Sequence, residues 1–392
     1  MQTAESTVVV RPSKAHYKVV VVGGGPAGAS CALALARAGV TDVLILEAGT
    51  YDSVRIGESI PPESRALLRS LGIEAAFLAQ AHEPCYGSCS YWGSDKRGYN
   101  DFVLNPHGHG WHLDRLRFDT LLATHARAAG TELLTGCALL ASEPASDTGY
   151  MLSIGQADRA GVQIRADFVV DASGARASFA RQRGAQRMES NPLVCIAARL
   201  SRGETEAPIS RLTQLEAVEH GWWYVASIPG DAVVVMLATH ARVVQTMRLS
   251  RPEPWYRQLR DASQTWQLVG GLNPDARDLH LQSYPAPSFC LDRLSGDQWL
   301  AIGDAASAYD PITAQGIIKS LMNGTAAARA IINKIHGNAH AIMELVDGFR
   351  MQYHRYLDMR RYFYCLEQRW PRSEFWRTVQ QEVSVPPIAV DA

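Results

Sequence analysis

Two groups of glycine and acidic residues, near opposite ends of the chain, have the types and spacing needed to hold a nucleotide. In the first, the apolar run 19–22 leads into Gly23, Gly25 and Gly28, and Glu47 closes a second apolar run. Glycines let the backbone approach a pyrophosphate, a helix start offers N–H groups, and the carboxylate can accept hydrogen bonds from ribose hydroxyls. The pattern predicts a strand, turn, helix and strand that bind a dinucleotide. The predicted ligands are Gly23, Gly25, Pro26, Ala27, Gly28 and Glu47.

The second group indicates which dinucleotide is bound. An apolar run ends at Ile302 and is followed by Gly303 and Asp304, and residues 313–336 read as a long helix. An aspartate at a strand end can accept from a ribityl hydroxyl, and a helix start can direct N–H groups at a flavin ring that is anionic when reduced. An NAD enzyme needs no such second site, so the pair predicts FAD, held by both ends of the chain. The ligands predicted here are Gly303, Asp304, Pro311, Gln315, Gly316 and Ile317.

Composition narrows the class of protein. A chain of 392 residues can bury a large core, and a net charge of −1 gives no general attraction to nucleic acid or to an anionic membrane. No apolar stretch reaches about 18 residues, so no spanning helix is expected. Residues 1–16 read as a tail rather than a secretion signal, and seven scattered cysteines suit reduced thiols, so we expect a cytoplasmic protein. Cys85 and Cys89 are either a redox pair or buried small residues, and burial is the simpler interpretation.

A histidine cluster suggests a metal site but fits one poorly. His107, His109 and His112 alternate with glycines, and no thiolate or carboxylate stands at a standard zinc spacing. We therefore predict no metal. The cluster reads as a glycine-rich turn entering the strand and helix that carry Arg115, with the alternative that one histidine faces the substrate or the flavin edge.

The middle of the chain changes character. Three runs of alternating apolar residues between 193 and 238 predict antiparallel strands. Alternation within one of them sends Trp222 and Tyr224 to one face and Trp223 to the other. These rings either line a pocket for an aromatic substrate or form ordinary sheet core. The helical, ring-rich segment 351–370 is likewise either packing or the wall of a groove.

Three further segments carry a resemblance to a known family. They are Arg-Ile-Gly-Glu-Ser at 55–59, Trp-His-Leu-Asp-Arg at 111–115 and the strand-like run 166–174. In this order, between the two nucleotide motifs, the chain resembles the FAD-dependent aromatic hydroxylase and halogenase superfamily over roughly residues 17–377. The resemblance implies that the loop at Arg55 and Ile56 covers the flavin. It further implies that Arg115 reaches the cofactor and that Asp171 lies near its adenosine.

The same resemblance implies an α/β fold. A Rossmann-like FAD-binding domain with a parallel sheet, similar to that of para-hydroxybenzoate hydroxylase, would carry an inserted substrate domain with an antiparallel sheet and end in C-terminal helices. The expected boundaries are 17–190 for the first part of the FAD-binding domain, with a substrate-side segment near 80–110. The substrate domain, the closing part of the FAD-binding domain and the helices follow at 191–290, 291–336 and 337–392.

In this superfamily, reduced FAD reacts with O2 to a C4a-hydroperoxide. Hydroxylases deliver its oxygen to an aromatic ring, and halogenases use it to oxidise halide. NAD(P)H docking over the flavin or a partner flavin reductase would supply the electrons, and O2 would be a co-substrate. The candidate catalytic residues are Glu58, His109, His112 and Asp310. The candidate substrate-pocket residues are Trp222, Tyr224 and Trp111.

The residues favour hydroxylation over halogenation. Tryptophan halogenases carry a lysine shortly after the Gly-Glu loop, and this chain has none between Lys18 and Lys96. They carry Trp-x-Trp-x-Ile-Pro where this chain has Tyr-Val-Ala-Ser-Ile-Pro at 224–229. Their halide-binding glutamate after the Asp-Pro pair is also missing from 312–316. Halogenation stays open as an alternative.

A closer resemblance is to the modifying flavoproteins that accompany quinone-cofactor lysine and glycine oxidases and quinohemoprotein amine dehydrogenase. The segments that carry it are 57–62, 111–115, 221–224, 310–316 and 367–371. It implies that the substrate is a tryptophan side chain in the precursor of a partner oxidase or dehydrogenase, hydroxylated on its indole ring during tryptophylquinone biogenesis. The alternatives are a hydroxylase or halogenase of a free or carrier-bound small aromatic, and a non-catalytic, flavin-bearing maturation chaperone. No nucleic-acid or membrane partner is expected.

Overall fold

The computed structural model describes residues 11–53, 55–156, 161–189, 192–202, 210–272 and 279–384. The strands are β1 His16–Val22, β2 Val43–Glu47, β3 Ser59–Ile60, β4 Glu83–Cys85, β5 Gly87–Tyr91, β6 Arg97–Asp101, β7 Gly110–His112, β8 Glu132–Thr135, β9 Ala138–Pro144, β10 Tyr150–Gly155, β11 Val162–Asp171, β12 Arg187–Glu189, β13 Leu193–Ser201, β14 Thr213–Val218, β15 Gly221–Ile228, β16 Ala232–His240, β17 Gln282–Ala286, β18 Phe289–Leu291, β19 Ser295–Gly296, β20 Trp299–Ala301 and β21 Ser307–Ala308. The α-helices are α1 Pro26–Arg37, α2 Ser64–Ser70, α3 Glu74–Leu78, α4 Arg115–Ala128, α5 Ser178–Gln182, α6 Ala241–Met247, α7 Pro252–Asp261, α8 Ser263–Val269, α9 Gly316–Ile335, α10 Ala341–Leu366 and α11 Glu374–Ser384.

A parallel sheet carries the nucleotide motifs, as predicted. Its order is β19-β20-β11-β1-β2-β8, and β9 and β10 extend β11 in antiparallel fashion. β1 pairs with β2 and β11 in parallel, and β20 lies parallel to β11 on the other side. The apolar runs of β1 and β2 are buried because helices cover both faces of such a sheet. Strands from both ends of the sequence therefore end at the same edge.

Helices α1 and α9 pack unusually close together beside this sheet. A Cβ on Gly324 would lie 2.4 Å from the Ala27 carbonyl oxygen, and one on Gly28 would lie 1.9 Å from that of Gly23.

Helix α9 begins at Gly316 rather than at Thr313 as predicted. Residues 311–313 form a short 3-10 turn, and Ala314 adopts a left-handed conformation that interrupts the helix.

The middle of the chain forms a second, seven-stranded sheet of order β17-β13-β16-β15-β14-β5-β6. All its pairings are antiparallel except that of β14 with β5, which comes from the segment near 80–110. Its two faces are covered differently. Trp223 packs on Trp255 under helices α6 to α8, which the sequence interpretation missed, whereas Trp222 packs towards the C-terminal helices. The predicted alternation of these rings is confirmed.

The ring-rich C-terminal segment is mainly packing. Helix α10 ends at Leu366, before the predicted Trp370, and Tyr356, Tyr364 and Trp376 are buried. Tyr362 is 61% exposed and is an exception. Among the described residues, no helix has the length and apolar character needed to cross a bilayer.

Candidate cofactor and substrate site

The ends of β1, β2, β11 and β20 surround a cavity of about 470 Å³. Ligands of open α/β sheets bind at this carboxyl edge. Gly23 has φ of +109°, and a Cβ there would lie 2.2 Å from the Ala172 carbonyl oxygen, so only glycine fits the turn. A Cβ on Gly25 would meet nothing nearer than an Arg55 nitrogen at 3.8 Å, so this backbone faces open space. Helix α1 therefore presents its start to the cavity.

Glu47 is fixed at the mouth of this turn. Its two carboxylate oxygens accept hydrogen bonds from the backbone N–H groups of Gly24, at 2.7 Å, and Gly49, at 2.9 Å. Pro26, Ala27, Ser173 and Gly174 complete this part of the lining. Glu47 therefore lies beside the glycine turn, and its contact with a ribose stays a prediction.

Two arginines are held in the cavity wall by one acid that the sequence interpretation did not assign to the site. Asp119 Oδ2 lies 3.1 Å from both Arg55 Nη1 and Arg115 Nη2. Arg115 Nη1 also donates to the carbonyl oxygens of Ile56, at 2.7 Å, and Gly57, at 3.0 Å, and so holds the loop at 55–59. Asp119 stands four residues after Arg115 on α4, a spacing that places the two side chains together and was available as a signal.

A second cavity, of about 410 Å³, adjoins the first. Both cavities are lined by Pro26, Arg55, Arg115, Asp304 and Ser320. The rest of the lining comes mainly from two loops with the start of α9 and from aromatic residues. The loops and helix start contribute Ile56, Gly57, Pro311, Gln315, Gly316 and Ile317, and the aromatic residues are Trp222, Tyr224, Tyr284 and Tyr309.

The residues fit FAD. A Cβ on Gly316 would meet no atom within 4 Å, so the start of α9, like that of α1, leaves its backbone open to the cavity. Glu47 and Asp304 offer carboxylates for sugar and ribityl hydroxyls, and the two arginines offer cationic donors for the phosphates. In the part of the chain that the structure describes, no group of three His, Cys, Asp or Glu side chains is placed to bind a metal ion.

Asp304 is paired with a buried lysine that the sequence interpretation missed. Lys319 is 1% exposed, its Nζ lies 2.8 Å from Asp304 Oδ1, and it also donates to the Ser307 carbonyl oxygen. The same Nζ lies 4.1 Å from the centre of the Tyr309 ring. A cation without this pairing would be costly to bury. Lys319 therefore fixes Asp304 at the point where the two cavities meet.

Replacing Lys319 with methionine is expected to weaken FAD binding about tenfold, because the Asp304 charge would stand uncompensated beside the phosphates. Titration of the purified apoprotein with FAD, followed by flavin fluorescence, measures the change. Lys334→Met, on the same helix, is the matched control and should bind FAD like the parent protein. Equal affinities for both variants would contradict this role of Lys319.

Glu58 is the predicted catalytic residue that the structure places best. It is 3% exposed and lines both the 410 Å³ cavity and a smaller one of about 100 Å³. Burial raises the pKa of its carboxyl to about 7, and the nearby Arg115 guanidinium opposes this shift only in part. A carboxyl that titrates near neutral pH can accept or release a proton under physiological conditions.

The other predicted catalytic residues have different surroundings. Asp310 is buried, and its Oδ2 accepts from Tyr364, at 2.8 Å, and Arg360, at 3.2 Å. Asp310 lines the 410 Å³ cavity, and these hydrogen bonds connect it to α10. His109 packs on Trp111 with ring centres 4.9 Å apart and is not among the residues that line the described cavities. His112 is fully buried and does not reach these cavities directly.

Four residues predicted for the cofactor or substrate contribute to packing in this structure. The Asp171 carboxylate accepts from the Ser173 and Ala180 N–H groups and so caps a turn, leaving Ser173 and Gly174 to face the cavity. Gly303 has φ of +59°, and a Cβ there would lie 2.7 Å from the Ala27 Cβ, so it permits close packing. Trp111 packs edge-on against Phe77 in the main core, because its face of β7 points away from the second sheet. Gly28 has the same packing role as Gly303.

Sequence comparison decides the family. The sequence profile of the FAD binding domain family matches residues 16–349, most of the chain. The chain belongs to this family. It is a flavin-dependent oxidoreductase of the aromatic monooxygenase and halogenase superfamily, which confirms the resemblance and the expected FAD binding.

The relatives include a putative FAD-dependent oxidoreductase and several flavin-dependent halogenases. The chain is 27% identical, over 92% of its length and 96% of the relative, to the putative FAD-dependent oxidoreductase LodB of Marinomonas mediterranea. It is also 27% identical to the flavin-dependent halogenase armH4 of Armillaria mellea, over 81% of this chain and 65% of that protein.

Solved structures support the fold. The flavin-dependent halogenase CmlS superposes with a TM-score of 0.82 at 23% identity, covering 93% of this chain and 68% of the other. The peptidyl tryptophan dihydroxylase QhpG superposes with a TM-score of 0.73 at 23% identity, covering 93% and 79%. At these identities the likeness shows the FAD-binding α/β fold, as predicted, and leaves the substrate to be argued from the site.

Proposed function

We propose that this protein is an FAD-dependent monooxygenase that hydroxylates the indole ring of a tryptophan side chain in a partner polypeptide. The observation that carries the proposal is the ring-walled cavity that adjoins the cofactor cavity. Trp222, Tyr224 and Tyr309 line it, and the buried Glu58 shares its wall. Aromatic walls favour an aromatic guest, which stacks or packs edge-on against them.

Bound FAD would supply oxygen activated from O2 once NAD(P)H or a partner reductase has provided electrons. The chain's own residues must hold the indole ring and manage its proton. When oxygen adds to a ring carbon, that carbon must lose its hydrogen as a proton to restore aromaticity. The Glu58 carboxylate is the buried acceptor in the wall of the cavity.

A polypeptide substrate is supported by the named activity of one structural neighbour and by a sequence resemblance. QhpG is named as a peptidyl tryptophan dihydroxylase, and the putative oxidoreductase LodB matches this chain over nearly its whole length. The chain also carries the segments through which it resembles the modifying flavoproteins of quinone-cofactor enzymes. Together these favour a tryptophan within a protein over free tryptophan.

Halogenation is the second candidate, because several relatives are flavin-dependent halogenases. The cavities argue against it. No lysine is among the residues that line the two cavities at Glu58 or the adjoining 470 Å³ cavity in the described structure. Lys319, the nearest candidate on α9, has its ammonium tied to Asp304 and Ser307 and is buried. A lysine that captures hypohalous acid would need to face the ring.

The test is to incubate the FAD-loaded protein with an unprocessed oxidase or dehydrogenase precursor encoded beside its gene, an electron source, air and chloride. Free tryptophan serves as the comparison substrate. Peptide mass spectrometry should show one or two added oxygen atoms on a precursor tryptophan. Chlorine in place of hydrogen would establish halogenation, oxidation of free tryptophan alone would overturn the polypeptide substrate, and tight binding without modification would indicate a chaperone.

A further inference from the structure

A chain of hydrogen bonds leads from Glu58 away from the cavity. Tyr224 OH lies 3.4 Å from Glu58 Oε2, and Ser59 Oγ lies 2.9 Å from Tyr224 OH. Thr213 Oγ1 lies 3.1 Å from Ser59 Oγ, and His112 Nε2 lies 2.9 Å from Thr213 Oγ1. The links join strands β3, β7, β14 and β15, and β3 pairs Ser59 directly opposite His112.

The chemistry of these groups lets the chain run in either direction. Each hydroxyl donates one hydrogen bond and accepts another, and a neutral imidazole nitrogen can do either. His112 keeps its ring proton on Nδ1, so Nε2 accepts from Thr213 in both states. When Glu58 is ionised, Tyr224 donates to it and Ser59 donates to Tyr224. When Glu58 is protonated, its O–H donates to Tyr224, and the Tyr224 and Ser59 hydroxyls turn towards Thr213.

We propose that this chain is a reversible hydrogen-bond wire, in which hydroxyl groups turn while the proton stays on Glu58, and that Thr213 and His112 are positioning residues which keep every hydroxyl hydrogen-bonded when Glu58 holds a proton. The proposal rests on the proposed role of Glu58 as proton acceptor. His112 was a predicted catalytic residue, and the chain gives it a part that does not require contact with the cavity.

His112 ends the chain as a neutral acceptor rather than as a store for the proton. Burial lowers its pKa to about 4, and the Ser227 backbone opposes this only in part. Glu58, whose pKa burial raises to about 7, is therefore the stronger base of the two. A proton taken from the substrate therefore stays on Glu58. Only the hydroxyl groups of the hydrogen-bond chain change direction.

The other groups that interact electrostatically with the Glu58 carboxyl lie outside the hydrogen-bond chain. They are Arg115 from α4, Cys195 from β13 and Tyr284 from β17. Arg55, Asp114 and Arg199 line the small cavity beside it. Cys85 lies 3.8 Å from Thr213 and is a much weaker acceptor than imidazole. A substitution at Thr213 leaves all of these in place.

Thr213→Val breaks the wire in the middle with little change of shape. With Glu58 protonated, Ser59 must then donate to a position without an acceptor, whereas with Glu58 ionised it still donates to Tyr224. An unmet buried donor is costly, so the protonated state is the one destabilised. We expect the pKa of Glu58 to fall by about one pH unit, and Thr213→Ser to restore it.

The measurement is an infrared pH titration of the buried carboxyl band, identified by its loss in Glu58→Gln. The matched control is Thr131→Val, at a buried threonine whose hydroxyl has no hydrogen-bond partner in the described structure. A lower midpoint in Thr213→Val alone, with recovery in Thr213→Ser, supports the wire. An unchanged or higher midpoint overturns it. Because this readout needs no turnover, failure to hydroxylate a tryptophan would refute the proposed function separately.

Discussion

Replacing Glu58 with glutamine is expected to lower kcat about a hundredfold to a thousandfold, the range lost when a general base is removed. Glutamine keeps the shape of the side chain but cannot accept the ring proton. In the parent protein kcat should rise with pH through about 7, as the Glu58 carboxyl ionises, and in the variant this rise should disappear. Single-turnover rates on the partner polypeptide, measured across this pH range, give both results.

The free energy of unfolding shows whether the loss of kcat in Glu58→Gln comes from lost chemistry or from misfolding. Because burial raises the pKa of Glu58 from 4.5 to about 7, the folded protein holds a proton that the unfolded chain has lost in this interval. The free energy of unfolding contributed by Glu58 is therefore full below pH 4.5 and declines as the pH rises to about 7. Glu58→Gln should be at least as stable as the parent protein at pH 8. If Glu58→Gln keeps full kcat, or keeps the rise of kcat near neutral pH, Glu58 is not the proton acceptor.

Replacing Gly25 with valine is expected to weaken FAD binding about a hundredfold or more. The valine methyls would occupy the open space beside the start of α1, where a Cβ on Gly25 lies 3.8 Å from the nearest protein atom. They would displace the pyrophosphate from backbone N–H groups, and each charge-assisted hydrogen bond lost costs about 1.5–3 kcal/mol. Titration of the apoprotein with FAD, followed by flavin fluorescence, measures the loss.

Gly271→Val is the matched control for this substitution. A Cβ on Gly271 also meets no atom within 4 Å, and the residue is exposed and lies outside the described cavities. It should bind FAD like the parent protein and melt at a similar temperature. Retention of FAD by Gly25→Val would mean that the cofactor does not lie against this turn.

The nucleotide half of the site could be predicted because its information is local. The glycine turn, Glu47 and Asp304 follow strands at spacings that physical chemistry restricts, and the structure brings them to one cavity. The rings of β15 were also predictable, because strand alternation alone separates Trp222 from Trp223. Where the interpretation failed for Asp171, it had placed the correct strand end but not the direction of one side chain.

The remaining parts depend on contacts between distant segments. Ser59 meets Thr213 across 154 residues of sequence and Tyr224 across 165, and no local pattern records such pairings. Lys319 left a weak signal, because it is the single charged side chain among the buried residues of α9. Its pairing with Asp304 could be recognised only in the folded structure.

The most direct test of the central claim is to supply isotopically labelled dioxygen during reaction of the FAD-loaded protein with the partner precursor. The account predicts that a tryptophan of the precursor gains labelled oxygen, only when FAD and an electron source are both present. Oxygen derived from water, or a chlorinated tryptophan without labelled oxygen, would contradict it.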